Sequence, residues 1–361
     1  MKVTHVIAPG PFAGAERVVL GGLDALAACG HETRLLALRE RRAPEHADAL
    51  VARARAGGHA ADCIDVRGRI DREAVAALGD IDGGAVHSHG YKATLFSRLA
   101  SRRRWQAWVA THHGATSRSL RVRAYQRLLY SAYNKCDAVF AVSAVTEELL
   151  RRAGVRGSRL RTVENFLAVP PVARVPRDSR EPIRALALGR LSAEKGLHVL
   201  LQALSRAQAN ARIALQVVGD GPERLSLVQQ ALSLGLASSV TFTGAVVDVR
   251  PHLARADVLV LPSFTEGLPM TLVEALCSGV PSLASAVGGV PDVLPLGAGK
   301  LLAPGDLPAW TDALGSLSAA LPGYQRAAQD SALSLQRRFS AERWANETTD
   351  VYAQAARERK R

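Results

Sequence analysis

Three short segments in the second half of the chain place residues that bind phosphate and hydroxyl groups just after apolar runs. The first, Gly189-Arg190-Leu191-Ser192-Ala193-Glu194-Lys195-Gly196, follows Ile183–Leu188 and sets a guanidinium and an ammonium five residues apart. A planar fork and a compact point charge together suit a diphosphate better than either alone, although two solvated surface cations would read the same way. The second, Val218-Gly219-Asp220-Gly221-Pro222-Glu223, has glycines that permit a tight turn and close approach of a ligand to the backbone. By itself it signals only a turn. The third runs from Val260 to Pro281: a strand ending at Leu261, a Gly/Pro loop, and a helix beginning near Met270 and closing at Gly279. The amides of Gly267 to Thr271 then stand at a helix N-terminus, where phosphate oxygens bind. Glu266 in the loop and Glu274, eight positions on and about one turn into the helix, can face one ligand and accept from its hydroxyls.

In the first half the residues able to do chemistry are histidines. His87, His89, His112 and His113 follow two consecutive strand-like runs; at strand ends such residues serve as structural hydrogen-bonding groups as well as in catalysis. Asp80-Ile81-Asp82 precedes a strand rather than following one and reads as a solvated turn, not a metal site. Gly297-Ala298-Gly299-Lys300 lacks the spacing and the Ser/Thr of a phosphate loop. The four cysteines, 29, 63, 136 and 277, have neither zinc-ligand nor disulfide-framework spacing. No metal is expected.

These segments need elements to hold them. Strand-like runs alternate with helical stretches at Val3–Ala8, Thr33–Leu38, Ala61–Val66, Gly84–His87, Ala107–Thr111, Ala138–Ser143 and Arg161–Glu164, and again at Ile183–Leu188, Ile213–Val218, Val240–Thr243, Val258–Leu261, Val280–Ala284 and Lys300–Ala303. That alternation predicts an α/β fold with parallel sheets covered on both faces. Residues 169–182 contain four prolines and no periodicity, which marks 171–182 as a linker. The expected organisation is two Rossmann-like domains, 1–170 and 183–339, facing across a cleft, with an amphipathic helix over 340–361 and ligands at the carboxyl ends of the strands. A length of 361 residues, 48% hydrophobic and 22% charged, fits two globular domains and excludes disordered and fibrous classes. Neither a leader peptide nor a membrane-spanning run is expected, which predicts a cytoplasmic protein.

Taken together these residues resemble family 4 of the retaining glycosyltransferases, which have the GT-B fold. The likeness covers Gly189–Gly196, Val218–Pro222, Thr241–Val246 and Glu266–Pro281, and more thinly Gly14-Ala15-Glu16, His87–Gly90, Thr111–Gly114, Val142-Ser143 and Asn165. One departure is Ala13-Gly14, where the family often has two glycines. The resemblance implies that Arg190 and Lys195 bind the donor's diphosphate with the amides of Met270 and Thr271, and that Glu274 holds the ribose. It implies that Val246 meets the base through its backbone, Glu266 contacts the donor sugar, and Gly14 lets the first loop approach the phosphates; Gly219 belongs to the same donor set. His113 would lie beside the reacting face of the sugar, with His112 as the alternative, and His89 and His112 would stand on the acceptor side. The 1–170 domain would bind acceptor, the 183–339 domain the nucleotide sugar, and the 340–361 helix would cross back to the first. The implied enzyme is a hexosyltransferase that transfers with retention and without metal or cofactor, from UDP-sugar rather than GDP-sugar, to a glycolipid or polysaccharide precursor such as lipopolysaccharide.

The charge is lopsided. Of the net +13, residues 1–180 hold +12 and residues 181–361 hold +1, and no acidic residue occurs between Asp82 and Asp137. That stretch carries Lys92, Arg98, Arg102, Arg103, Arg104, Arg118, Arg121, Arg123, Arg127 and Lys135, interleaved with Tyr125, Leu128, Leu129 and Tyr130. A solvated face in an Arg-rich sequence is one explanation. Docking on the anionic inner face of the cell membrane is the other, and it ranks above nucleic acid because no nucleic-acid module is present and aromatics are only 5%. The competing class of function is a basic GT-B-like protein that binds nucleic acid or membrane without transferring sugar.

Overall fold

The computed structural model describes residues 1–360 except 11, 13, 69, 101–103, 114–119 and 209–210, and all described side chains except those of 120–125 and 360. The chain divides into two compact units, Met1–Ala168 with Phe339–Arg361, and Val169–Arg338.

The first unit is built on seven parallel strands: β1 (Lys2–Ile7), β2 (Glu32–Glu40), β3 (Ala60–Val66), β4 (Ala85–His89), β5 (Ala107–His112), β6 (Ala138–Ala141) and β7 (Leu160–Thr162). Their order is β3-β2-β1-β4-β5-β6-β7. All six residues of β5 are buried, as expected of a strand with helices on both faces. One face carries Val86, Phe96, Trp108 and Tyr133. The other carries Val109, Phe140 and Phe166 together with Trp344 and Tyr352 of the terminal helix Ala341–Lys360. Burying each of those two aromatics removes enough apolar surface to be worth about 4–6 kcal/mol before ordering entropy, so this helix is integral to the first unit.

The second unit has six parallel strands: β8 (Ile183–Leu188), β9 (Ile213–Val218), β10 (Val240–Gly244), β11 (Val258–Leu261), β12 (Ser282–Ser285) and β13 (Gly299–Leu302), in the order β10-β9-β8-β11-β12-β13. Its core joins Val217, Val258 and Val260 to Leu200, Leu201, Leu204 and Trp310. The proline-rich stretch forms no regular element but is fastened to this unit: Val175 N–H donates to the Ala254 carbonyl, and Arg174, Arg177 and Arg184 converge on buried Asp257.

In each sheet the strand order reverses between neighbours, at β1/β4 and at β8/β11. Adjacent loops diverge at such a reversal, which opens a crevice above the carboxyl ends of the strands. The expected strands are present with ends displaced by at most two residues, and β8, β9 and β11 keep the expected bounds. The displacement matters at β4, which runs to His89, and β5, which runs to His112. His87, His89 and His112 therefore lie within strands, and only His113 follows one, because alternation marks a strand but not where a buried one stops. Among the described residues no helix is long and apolar enough to cross a membrane.

Candidate active site

In the second unit, the loops after β8 and β11 meet. The β8 loop makes one turn of 3-10 helix over Ala193–Lys195 and then needs a left-handed residue, Gly196 at φ +65°. A side chain there would place its Cβ 2.1 Å from the Pro262 carbonyl oxygen, so glycine is required both for conformation and for space. Phe264 N–H donates to the Glu194 carbonyl at 2.8 Å, joining the two loops.

This junction brings Lys195 Nζ within 2.7 Å of Glu266 Oε1, a carboxylate whose side chain is 8% exposed. Ser263 Oγ donates to the same oxygen at 2.6 Å. Ser263 escaped the sequence reading; its signal was a hydroxyl at the strand end, three residues before the glutamate. Gly289 N–H donates to the Gly267 carbonyl at 2.8 Å, fixing the loop behind Glu266. Arg190 is exposed and, among the described residues, makes no ion pair.

The helix after β11 runs Met270–Cys277 and has no side-chain cap at Pro269. Its first backbone bonds to Pro269 come from Leu272 and Val273, so among the described residues the amides of Met270 and Thr271 have no helical acceptor, as at any helix start. Glu274 is buried on the same helix. Gly219, at the end of β9, donates to the Gly244 carbonyl; a Cβ on it would fall 1.8 Å from the Gly189 carbonyl oxygen, so the β8 and β9 loops touch backbone to backbone. Val246 is half-buried in the loop after β10.

In the first unit, Gly14 opens the helix Gly14–Ala28, and a Cβ there would meet open space. Gly10 N–H donates to buried Glu16 Oε1, which ties the loop after β1 to that helix. Ala13 and Gly114 lie outside the described residues. His87, His89 and His113 prove to be a connected group with His5, while His112 is turned onto Tyr133. Parallel pairing sets His5 opposite His87, and period-two alternation puts His89 on the same face. His5 Nδ1 lies 2.8 Å from His89 Nε2, and His89 Nδ1 lies 3.3 Å from His113 Nε2. His87 meets Tyr352 Oη at 2.6 Å and Thr111 Oγ1 at 2.7 Å, while His112 Nδ1 meets Tyr133 Oη at 3.1 Å. Burial pushes His5 down to about 3 and His112 and His113 down to about 4, and holds His87 and His89 well below the usual imidazole range. All five are neutral at pH 7. His5 was not singled out from the sequence, because the register of β1 on β4 is invisible there.

Of the basic stretch, Lys92 pairs with Glu40 at 2.8 Å, Arg98 is half-buried, and Arg104, Arg127 and Lys135 are exposed. Arg102, Arg103 and Arg118, and the side chains of Arg121, Arg123 and Tyr125, lie outside the described residues.

Residues 12–169 match the family model described as glycosyltransferase family 4, and residues 182–319 match glycosyl transferases group 1. The chain belongs to glycosyltransferase family 4. Among curated relatives, it is 33% identical over 134 residues to the lipopolysaccharide core biosynthesis glycosyltransferase LpsE of Rhizobium meliloti, covering 36% of this chain and 38% of that protein. It is 29% identical over 253 residues to the D-inositol 3-phosphate glycosyltransferase of Streptomyces bingchenggensis, covering 65% and 54%. The matches thus span about two fifths to half of those proteins' lengths. Among solved structures, the Anabaena protein HepE in complex with UDP-glucose superposes with a TM-score of 0.82 at 19% identity, over 97% of this chain and 99% of that one. At that identity the likeness is one of fold, two parallel-sheet units of the GT-B kind.

Proposed function

We propose that the protein transfers a sugar from a nucleoside diphosphate donor to a glycolipid or polysaccharide-precursor acceptor, with retention at the anomeric carbon. The observation that carries this reading is the Lys195–Glu266 pair, which joins the loops after β8 and β11 at the reversal point of the second sheet, the latter loop leading into the uncapped helix Met270–Cys277. In the proposed reaction the anomeric C–O bond to the diphosphate breaks, the acceptor oxygen bonds that carbon on the same face, and the acceptor's proton passes to the departing phosphate. Negative charge grows on the diphosphate, so Arg190, Lys195 and the helix amides stabilise the transition state. These donors perform the work a divalent cation does elsewhere. Glu266, held by Lys195 and Ser263, contacts the donor sugar, Glu274 the ribose and Val246 the base; Gly14 and Gly219 let backbone approach the phosphates. His113, at the end of β5, acts on the sugar side, whereas the His112 ring is turned onto Tyr133.

UDP-sugar is the proposed donor, supported by the UDP-glucose complex of HepE. A lipid-linked or lipopolysaccharide-type acceptor is supported by the likeness to LpsE. The 1–170 segment with the terminal helix serves the acceptor, and 183–339 the donor. We place the enzyme in the cytoplasm at the inner membrane face. The test is UDP release from UDP-glucose and other UDP- and GDP-sugars: Lys195→Ala and Glu266→Gln should each lower kcat/KM by about a hundredfold or more. Unchanged turnover in both variants refutes the site.

A further inference from the structure

His5, His87, His89 and His113 of the first unit divide into two kinds. His87 is saturated, with a hydroxyl at each nitrogen. His5, His87 and His89 do bring ligand nitrogens within 4.8 Å of one another. A zinc ion with bonds of about 2.0–2.1 Å would hold tetrahedral nitrogens roughly 3.4 Å apart. Here His5 Nδ1 and His89 Nε2 are 2.8 Å apart, a hydrogen-bond distance, and a metal would also have to displace Tyr352 or Thr111 from His87.

What remains is a line. The His5 and His89 rings have centroids 5.0 Å apart and planes 10° apart; for His89 and His113 the values are 5.5 Å and 23°. Each centroid separation exceeds the corresponding N···N distance by about two ring radii, so the rings meet edge to edge with nitrogens in line. A neutral imidazole has one N–H and one lone pair, so protons along such a line must all point the same way. The direction follows from its inner end. His5 Nε2 is buried and has no hydrogen-bond partner, and an orphaned buried lone pair is better tolerated than an orphaned N–H. The His5 proton therefore sits on Nδ1 and is donated to His89 Nε2; His89 donates from Nδ1 to His113 Nε2; and the His113 proton is on Nδ1.

We infer that His5 and His89 are positioning residues that lock His113 as the neutral Nδ1–H tautomer, presenting an N–H donor to a substrate oxygen. Among the described residues His113 Nδ1 has no hydrogen-bond partner, and an imidazole with one nitrogen already engaged has its tautomer and ring plane set by that bond. The catalytic consequence rests on the function proposed above; the tautomer does not.

The test uses the full chain labelled with 15N-histidine. Long-range 1H–15N spectra should show His113 with a protonated Nδ1 and an unprotonated Nε2, and His89→Leu should move His113 toward the Nε2–H form. His5→Leu should lower kcat for UDP-glucose hydrolysis about tenfold with little change in KM, and His5→Asn, whose amide nitrogen stands where Nδ1 stood, should restore it. A wild-type His113 protonated on Nε2 overturns the inference whatever the activity. So does stoichiometric zinc binding that shifts the His5, His87 and His89 signals together. If instead His113→Ala hydrolyses UDP-glucose normally while the tautomer is as inferred, the assigned role of His113 in the reaction fails and the relay stands.

Discussion

Lys195 depends on the glycine that follows it. Gly196 allows the β8 loop to pass against the Pro262 carbonyl at a left-handed φ that other residues reach at a cost of about 1–2 kcal/mol. Gly196→Ala adds to that cost a Cβ 2.1 Å from a backbone oxygen, which only a shift of the loop can relieve. The variant should lose at least about 2 kcal/mol of stability by urea titration. It should also weaken UDP binding, read by calorimetry at a temperature where it is folded; wild-type affinity would show that the loop does not hold the diphosphate. The loop positions of Arg190, Lys195 and Glu266 could be read from the sequence because each stands beside a glycine just after a strand, and that of Glu274 because the helix holding it is bounded by Pro269 and Gly279. The significance of Ser263 and His5 could not, since it lies in partners 3 and 84 residues away.

The irregular segment ahead of β8 is held by charge. Asp257, whose side chain is 3% exposed, receives Arg184 through two nitrogens at 3.0 and 3.1 Å, Arg177 at 3.1 Å and Arg174 at 3.5 Å. Removing one member of a buried ionic cluster leaves the others desolvated and uncompensated, typically at about 3–5 kcal/mol. Asp257→Ala should therefore lower the unfolding midpoint of the second unit sharply and expose residues 169–182 to proteolysis. A loss below about 1 kcal/mol would mean that the backbone bonds from Val172 and Val175, with the prolines, hold the segment without the ionic cluster. The sequence marked this stretch by composition. Its attachment was hidden because the aspartate lies more than seventy positions beyond the arginines.

At the scale of the molecule, charge and protonation are unevenly placed. The strongly shifted histidines, His5, His87, His89, His112 and His113, all belong to the first unit, and burial lowers each. Their folded values lie below the unfolded one, so the unfolded chain binds more protons between pH 6.5 and about 4, and stability falls as pH falls through that window. Each such histidine contributes a slope of up to about 1.4 kcal/mol per pH unit. Hydrogen exchange followed from pH 7 to 5 should show the first unit losing protection before the second; the reverse order would contradict neutral burial of the cluster. The same unit carries the charge excess. Helix Gly90–Leu99 packs on helix Leu120–Tyr133, and Tyr91, Leu99 and Leu128 are more than half exposed among Arg98, Arg104 and Arg127. If that face docks on lipid, sedimentation with anionic vesicles should carry the protein down at low salt, and binding should fade as salt rises. Equal, negligible pelleting with neutral and anionic vesicles would sink the idea.

The sequence by itself determined the fold class, the positions of the strands to within a few residues, and the glycine- and proline-marked loops that follow β8, β9 and β11. All of these rest on local periodicity and on turn residues, which need no partner to be recognised. Only the tertiary structure decided that Lys195 and Glu266 pair, that Asp257 gathers three arginines, and that His5, His89 and His113 form one line of hydrogen bonds. Those depend on strand order and register, because parallel strands are joined by long crossovers, and nothing in the local pattern says that β1 lies beside β4 with His5 opposite His87.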